Sequence, residues 1–403
     1  MVKSSLSNFF DDYLKKESIF KDKKVLQLNY TPSLISHRDD QISQIAHILA
    51  PTLKLEKPSN LFIYGKTGTG KTVSIKHITK QMQETALKNN IPLKMVYINC
   101  KLKKIADTEY RVLAHLAREF GKEIPSTGLP TDDVYKIFYS ALDKEKLYFV
   151  LILDEIDQLV NKTSDQILYN LTRINEELKN SQISFIGISN DLVFIDNLDP
   201  RVRSSLSEEE ILFPPYNALQ IQSILKERVK EAFKEDSIPS GVIEKCAALA
   251  ARDHGDARRA LELLRVSGEL AERDGSSKVE LKYLDIAEDK IERDRIKESV
   301  VFQPKQFQTV LYSIIKIAEQ KKEMIFTGEI YELYSKLCKK IGISPLTQRR
   351  VSDILAELDM LGIINAKVIS KGRYGRTREI SLSLNPNTTE NVKSALDECL
   401  GLS

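Results

Sequence analysis

Cysteine is scarce in this chain, with four in 403 residues. Cys100, Cys246, Cys338 and Cys399 lie far apart. That spacing excludes a disulfide framework and the paired-cysteine pattern of a zinc site. It suits a reducing cytoplasm. No apolar run approaches the roughly 20 residues that a membrane-spanning helix needs, so no membrane partner is expected. The first residues, Met-Val-Lys-Ser-Ser, lack the charged-then-apolar order of a secretory signal. Internal repeats and low-complexity tracts are also absent. The net charge is only +3, so any contact with nucleic acid must come from local patches. The 42% hydrophobic and 29% charged fractions describe a globular chain long enough for two to three domains.

The most informative segment is Gly65-Lys66-Thr67-Gly68-Thr69-Gly70-Lys71-Thr72. It fits G-x-x-x-x-G-K-[ST], the loop that cradles nucleotide phosphates. Glycines let successive backbone N–H groups turn inward around the β-phosphate. Lys71 can reach the β- and γ-phosphates, and the Thr72 hydroxyl can ligate Mg²⁺. Gly68, Thr69, Gly70 and Val73 complete the expected cradle. Context separates this from a glycine-rich surface turn. Residues 60–64 read as a buried strand, and residues 72–79 open a helix with Val73, Ile75 and Ile78 on one side. Strand, loop and helix is the required order.

Tyr148-Phe-Val-Leu-Ile-Leu153 is a continuous apolar run, as in a strand buried on both faces. It ends in Asp154 and Glu155. Asp154 is placed to hold Mg²⁺, directly or through water, and Glu155 to act as base or orienter for the attacking water. Further strands are expected at 61–64, 95–99, 183–189 and 210–213, alternating with helices. That order implies a parallel sheet with covered faces. Ligands bind at the carboxyl ends of such strands. Asn190, after the strand 183–189, is therefore a candidate to position the lytic water or touch the γ-phosphate.

After Phe213-Pro214-Pro215-Tyr216 the pattern becomes helical, with helices expected at 220–234, 241–254, 256–274 and 279–299. In the first, Arg228 falls within the inward stripe of Ile221, Ile224, Leu225 and Val229. A buried arginine requires an anion or a π-face. Nucleotide is the candidate anion, with Tyr216 nearby for base or ribose; an arginine snorkelling at the helix edge is the alternative. Asp256 can cap the helix that carries Arg258, which is then aimed at the γ-phosphate. Arg201 and Arg203 follow a turn after the Asn190 strand, and one of them is expected to act in trans on a neighbour's nucleotide. Residues 1–20 read as polar and frayed.

The last hundred residues offer a second site. Residues 347–361 form an amphipathic helix with Val351, Ile354, Leu355, Leu358 and Leu361 on its apolar face. Gln348 and Arg349 stay on the outer face at the N-terminal end, where a recognition helix meets base edges. Arg350, about 100° further round, is a phosphate contact or an intradomain partner. Residues 363–383 alternate as a hairpin carrying Lys367, Lys371, Arg373, Arg376 and Arg378, with Tyr374 at the glycine-rich tip. Helix plus basic hairpin is a winged helix-turn-helix pattern.

Together these segments resemble AAA+ ATPases, and more narrowly the archaeal origin-recognition/cell-division-cycle type replication initiators. GKTGTGKT, LILDEID, ISFIGISN, LDPRVRSSLSEEEILFPPY, HGDARRALELLRVSGELAER and TQRRVSDILAELDMLGI carry the likeness across residues 60–382. The resemblance implies an α/β fold: an AAA+ base over 1–212 with an N-terminal extension, an α-helical lid over 213–300 and a winged helix over 301–403. It implies nucleotide contacts from Tyr216 and Arg228, and an initiator-specific insertion near 107–131 that places Thr127 and Gly128 against DNA. No basic cluster marks that insertion here. The implied protein is a cytoplasmic, nucleoid-associated initiator that binds origin duplex DNA. It uses Mg²⁺ with ATP or ADP as a slow switch, meets other initiator subunits and helps recruit the replicative helicase. An ATP-dependent transcription regulator and a clamp- or helicase-loader subunit are the rival readings.

Overall fold

The structure, a computed structural model, describes residues 17–27, 30–101, 106–125, 127–206, 208–320, 325–370, 376–384 and 386–402. The chain divides into two compact units, Met1–Leu284 and Asp285–Ser403.

The first unit is built on five parallel strands, β1 Asn60–Tyr64, β2 Leu93–Asn99, β3 Tyr148–Asp154, β4 Gln182–Ser189 and β5 Glu208–Leu212, in the order β2-β3-β4-β1-β5. The interior strands carry apolar side chains in succession because both faces are covered. Leu61 and Ile63 of β1 join Val150 and Ile152 of β3 in one core, with Ile45 and Leu49 of α1 (Asp39–Leu49) and Ile75 and Ile78 of α2 (Lys71–Lys88). Phe62 and Tyr64 point the other way, into a larger core with Leu151, Leu153 and the helices α3 (Glu109–Glu119), α4 (Thr131–Leu142), α5 (Ile156–Thr163), α6 (Gln166–Glu177) and α7 (Pro200–Leu206). Reversal of strand order at β1 opens a crevice over its carboxyl end, between β4 and β5. The phosphate-loop motif sits there.

Three helices complete this unit: α8 Ala218–Ala232, α9 Val242–Arg252 and α10 Ala257–Arg273. Two of them begin on a side-chain cap. Asn217 and Gln220 form a capping box for α8, and Asp256 accepts from Arg258 N and Arg259 N at the start of α10. Such caps are worth about 0.5–2 kcal/mol each. The expectation of a frayed stretch through residue 20 fails for its last residues. Ile19 and Phe20 are buried. Lys21 N and Lys234 N hydrogen-bond across to Ala232 O and Ile19 O, and Phe20 stacks on Phe233 with ring centroids 4.7 Å apart. The physical reason is that two large apolar side chains among polar neighbours find a partner groove on distant helices, which local composition does not register.

Helix α11 (Leu281–Val301) carries the chain into the second unit, which contains α12 Lys305–Gln320, α13 Thr327–Lys340, α14 Gln348–Met360 and α15 Pro386–Leu400. A three-stranded antiparallel sheet, β6 Ile325–Phe326, β7 Ile364–Ser370 and β8 Arg376–Leu382, runs in the order β6-β8-β7. Val351, Leu355 and Leu358 of α14 are buried with Tyr334, Ile364 and Ile380 in one core. This is the winged-helix arrangement expected from the alternating hairpin and the amphipathic helix.

Candidate nucleotide site and nucleic-acid interface

The loop between β1 and α2 takes a shape that only glycine tolerates at two points. Gly68 has φ +71° and Gly70 has φ +92°, the left-handed region that side chains strain. Space is short as well. A Cβ on Gly68 would lie 1.6 Å from Asp256 Oδ1, and one on Gly70 would lie 2.7 Å from the Tyr216 hydroxyl oxygen. The loop is therefore seated directly beneath residues of the helical segment. Ala257 N donates to Gly68 O at 3.3 Å. Thr69 is fully buried, and its hydroxyl donates to Lys66 O at 2.9 Å.

Lys71, the first residue of α2, is buried. Its ammonium donates to Gly65 O at 2.6 Å, Lys66 O at 2.8 Å and Asn190 Oδ1 at 2.8 Å. Burial pushes its pKa down to about 8, against the opposing pull of Asp154. Thr72 Oγ1 donates to Asp154 Oδ2 at 2.8 Å. The Tyr97 hydroxyl, from β2, donates to the same oxygen at 2.6 Å. Glu155 N donates to Asp154 Oδ1 at 3.0 Å. Glu155 itself has φ +55° and ψ 47°, a left-handed backbone that costs a non-glycine residue roughly 1–3 kcal/mol. Strain of this kind concentrates at functional sites. Lys101 Nζ approaches the Glu155 carboxylate at 3.9 Å.

Above these groups lies a cavity of about 480 Å³, within the range of roughly 300–1,000 Å³ typical of ligand pockets. Gly68 to Val73, Asp154, Glu155 and Asn190 line its floor; Tyr216, Arg228 and Arg258 line the other side. The structure thus brings together, around one space, the residues that the sequence marked for the chain's own nucleotide, from Gly68 to Val73 with Asp154, Glu155, Asn190, Tyr216, Arg228 and Arg258. Arg228 is 9% exposed and finds a π-face, the ring of Tyr30 at 4.7 Å from its guanidinium carbon. Burial pushes its pKa down. Tyr216 stacks instead on Arg38, at 3.8 Å. Arg258 lies 3.6 Å from Asp256 and is half exposed.

The residues fit a nucleotide with its metal ion. The two glycines leave room where a Cβ would intrude, and a buried cation lies at the loop's centre. Thr72 and Asp154 supply a hydroxyl and a carboxylate, the hard oxygen donors that Mg²⁺ takes. Among the described residues no group of three or more His, Cys, Asp or Glu side chains is gathered for a metal. A sparse donor set is what Mg²⁺ uses when phosphates and water fill its remaining positions.

Arg201 and Arg203 stand outside this cavity. Both are exposed, Arg201 bidentate to Asp199 at 3.0–3.1 Å and Arg203 bonded to Asp196 at 3.0 Å. Thr127 and Gly128 are exposed in the turn before α4. In the second unit Gln348, Arg349 and Arg350 are exposed at the N-terminal end of α14, which Thr347 caps. Arg350 lies 3.9 Å from Asp353 of its own helix. Lys371, Arg373 and Tyr374 lie outside the described residues, and Arg376 is described only as the backbone that opens β8. Arg378 leaves the set of free hairpin cations. Its guanidinium donates to Ser352 O at 2.8 Å, tying the hairpin to α14.

Comparison with known proteins fits this geometry. The family profile of an AAA domain matches residues 54–193, the Cdc6 AAA+ ATPase-type lid domain residues 222–289, and the CDC6 C-terminal winged helix domain residues 298–392. An ORC1-type DNA replication protein of Thermococcus onnurineus is 52% identical over 391 residues, covering 96% of this chain and 94% of its own. The chain belongs to the ORC1-type DNA replication proteins. A relative from Methanosarcina mazei, ORC1-type DNA replication protein 1, is 51% identical over 97% of this chain and 94% of its own. Among solved structures, the Aeropyrum pernix ORC1 protein in complex with DNA superposes with a TM-score of 0.84 at 42% identity, covering 95% of this chain and 98% of that one. The family makes this chain an AAA+ ATPase of DNA replication, with lid and winged helix as expected.

Sequence reasoning missed the segment that roofs the site in this ORC1-type chain. Tyr30, Ile35 and Ser36 line the cavity. Ser36 donates to Glu227 at 2.7–2.9 Å and Tyr30 to Glu231 at 2.8 Å. Arg38 was missed too, although it is 2% exposed. It donates to Thr69 O at 2.8 Å, Pro214 O at 2.6 Å and His37 O at 3.1 Å. A single arginine before a helix gives no periodic signal. The only hint is the pairing of Ile35 with the helix start at Asp39. Replacing Arg38 with Met would leave Thr69 O without its donor and remove the stack on Tyr216. We expect a stability loss of roughly 2–5 kcal/mol, from about 1–3 kcal/mol for the orphaned carbonyl and about 1–2 kcal/mol for the cation–π contact. Denaturant unfolding of the nucleotide-free protein measures it; a loss below about 1 kcal/mol would show that these contacts are dispensable.

Proposed function

We propose that this chain is a replication initiator whose winged helix and insertion hold origin duplex DNA, with Mg²⁺-dependent ATP binding and slow hydrolysis as its conformational switch. One observation carries the reading: a single cavity is walled jointly by the phosphate loop, the helical lid segment and the N-terminal segment. Whatever fills it contacts both sides, so its charge state biases how they pack. The reading divides the chain into an AAA+ base at 1–212, a lid at 213–300 and a winged helix at 301–403. Its setting is the cytoplasm, at the nucleoid, and its further partners are other initiator subunits and the replicative helicase.

In this reading the loop amides and Lys71 bind the phosphates. Thr72 and Asp154 hold Mg²⁺, which neutralises phosphate charge when bound. Tyr216 and Arg228 face base and ribose. Glu155 accepts the proton of the attacking water at its carboxylate, Asn190 orients that water or the γ-phosphate, and Arg258 reaches the γ-phosphate from the lid. Hydrolysis is slow because the cavity's own chain leaves Arg201 and Arg203 elsewhere on its surface. One of them completes a neighbour's site.

Lys71→Ala should weaken ATP binding at least about 100-fold, as expected from losing two charge-assisted hydrogen bonds worth roughly 1.5–3 kcal/mol each. Calorimetry measures it, and unchanged affinity would remove Lys71 from the site.

Glu155→Gln keeps the shape and removes the base. Turnover should fall by about 100-fold or more, with ATP affinity within about threefold of the parent. Parental turnover would show that Glu155 has been given the wrong role.

For DNA, the exposed start of α14 reads bases and the hairpin grips phosphates. Arg349→Ala should cost about 1–3 kcal/mol and relax specificity at one base pair. Arg373→Ala with Arg376→Ala should weaken origin and random duplexes alike and lower the salt slope by about 0.9 per lost phosphate contact. Titrations of both duplexes at several salt concentrations decide this. Equal loss on both duplexes from Arg349→Ala, or parental binding by the hairpin variant, would overturn the assignment.

A further inference from the structure

We propose that Tyr97 is the positioning residue that restricts Asp154 to one-point contact with the metal ion and so favours Mg²⁺ over Ca²⁺. This rests on the reading of Asp154 as the metal-holding carboxylate. An ionised carboxylate offers about four acceptor sites, two on each oxygen. Both sites of Asp154 Oδ2 are taken, by Thr72 Oγ1 at 2.8 Å and the Tyr97 hydroxyl at 2.6 Å. One site of Oδ1 is taken by Glu155 N at 3.0 Å. A single acceptor site remains, on Oδ1.

The donors come from α2, from β2 and from the backbone just after Asp154, so the carboxylate cannot turn without breaking a bond. Two of them have other tasks. Thr72 belongs to the phosphate loop, and Glu155 N is fixed by its left-handed backbone. Tyr97 contributes only its hydroxyl. The 2.6 Å separation is that of a charge-assisted O–H···O⁻ bond. The ring is anchored independently of it, on β2 in parallel register with β3, with Lys76 Nζ 4.7 Å from the ring centroid. Mg²⁺ is small and takes carboxylates sparingly in near-ideal octahedra, whereas Ca²⁺ accepts both oxygens of one carboxylate. Occupying Oδ2 therefore disfavours the larger ion. Tyr97→Phe deletes one hydroxyl, keeps the ring and frees one acceptor site on Oδ2, so that both oxygens can then face a metal ion.

The test is ADP binding by calorimetry, first in EDTA and then at rising Mg²⁺ or Ca²⁺, for the parent and Tyr97→Phe. The parent should bind ADP more tightly as Mg²⁺ rises, with Ca²⁺ a poorer substitute. In the variant the Mg²⁺ midpoint should rise about tenfold, the size usual for losing a partner of a metal ligand. The Ca²⁺ midpoint should stay or fall, and affinity in EDTA should match the parent. A parent whose affinity ignores Mg²⁺ would overturn the metal reading itself. A Mg²⁺-dependent parent with an identical variant would overturn the role of Tyr97 alone. Equal loss in EDTA, Mg²⁺ and Ca²⁺ would reduce Tyr97 to a structural support and also overturn it.

Discussion

The first unit depends on one buried guanidinium without a carboxylate partner. Arg38 donates to a carbonyl of the phosphate loop and to one at the start of the lid segment, and it lies against the ring of Tyr216. Burial holds its pKa below the ordinary arginine value, yet an arginine stays charged in proteins. Backbone dipoles and a π-face offset the lost hydration only in part. The remaining positive charge sits beneath a loop whose function is to attract phosphate. The same group therefore joins the phosphate loop to the start of the lid segment.

Much of this was legible in the chain, for reasons that can be stated. Strands β1, β3 and β4 are buried on both faces, so their apolar runs are continuous and end abruptly at the groups that face the cavity: the glycine loop, Asp154 and Asn190. Double-sided burial converts a three-dimensional fact into a local pattern. Asp256 was legible as a cap because capping is local. Arg228 was legible because a charge inside an apolar helical stripe contradicts the stripe. Its partner was not, since Tyr30 lies almost two hundred residues earlier. Arg38, Tyr97 and the buried pair Ile19 and Phe20 escaped for the same reason. Their meaning lies in contacts between distant segments, which no pattern in their own neighbourhoods registers.

The second unit shows the converse, in which a local pattern overstates the number of free cations. The hairpin reads as a row of cations, but Arg378 spends its guanidinium on Ser352 O. That bond crosses from β8 to the middle of α14. It fixes the angle between the helix that offers Gln348 and Arg349 and the hairpin that follows it. Counting charges assigns such a residue to the ligand, whereas geometry assigns it to the frame. Arg378 thereby stiffens the junction between helix and hairpin.

Loop and helical segment meet equally closely in the first unit. Asp256 Oδ1 occupies the place that a side chain at Gly68 would need, and the Tyr216 hydroxyl occupies that place at Gly70. Each of these two glycines is therefore bounded by a residue of the helical segment. Asp256 also sets the first turn of α10, whose Arg258 lines the cavity. The loop contact at Asp256 and the cavity-lining Arg258 thus lie within one helical turn of each other. A packed interior does not deform continuously; it exchanges one arrangement for another. At Gly68 the loop has no side chain and lies directly against the cap of α10, so no intermediate layer separates the two.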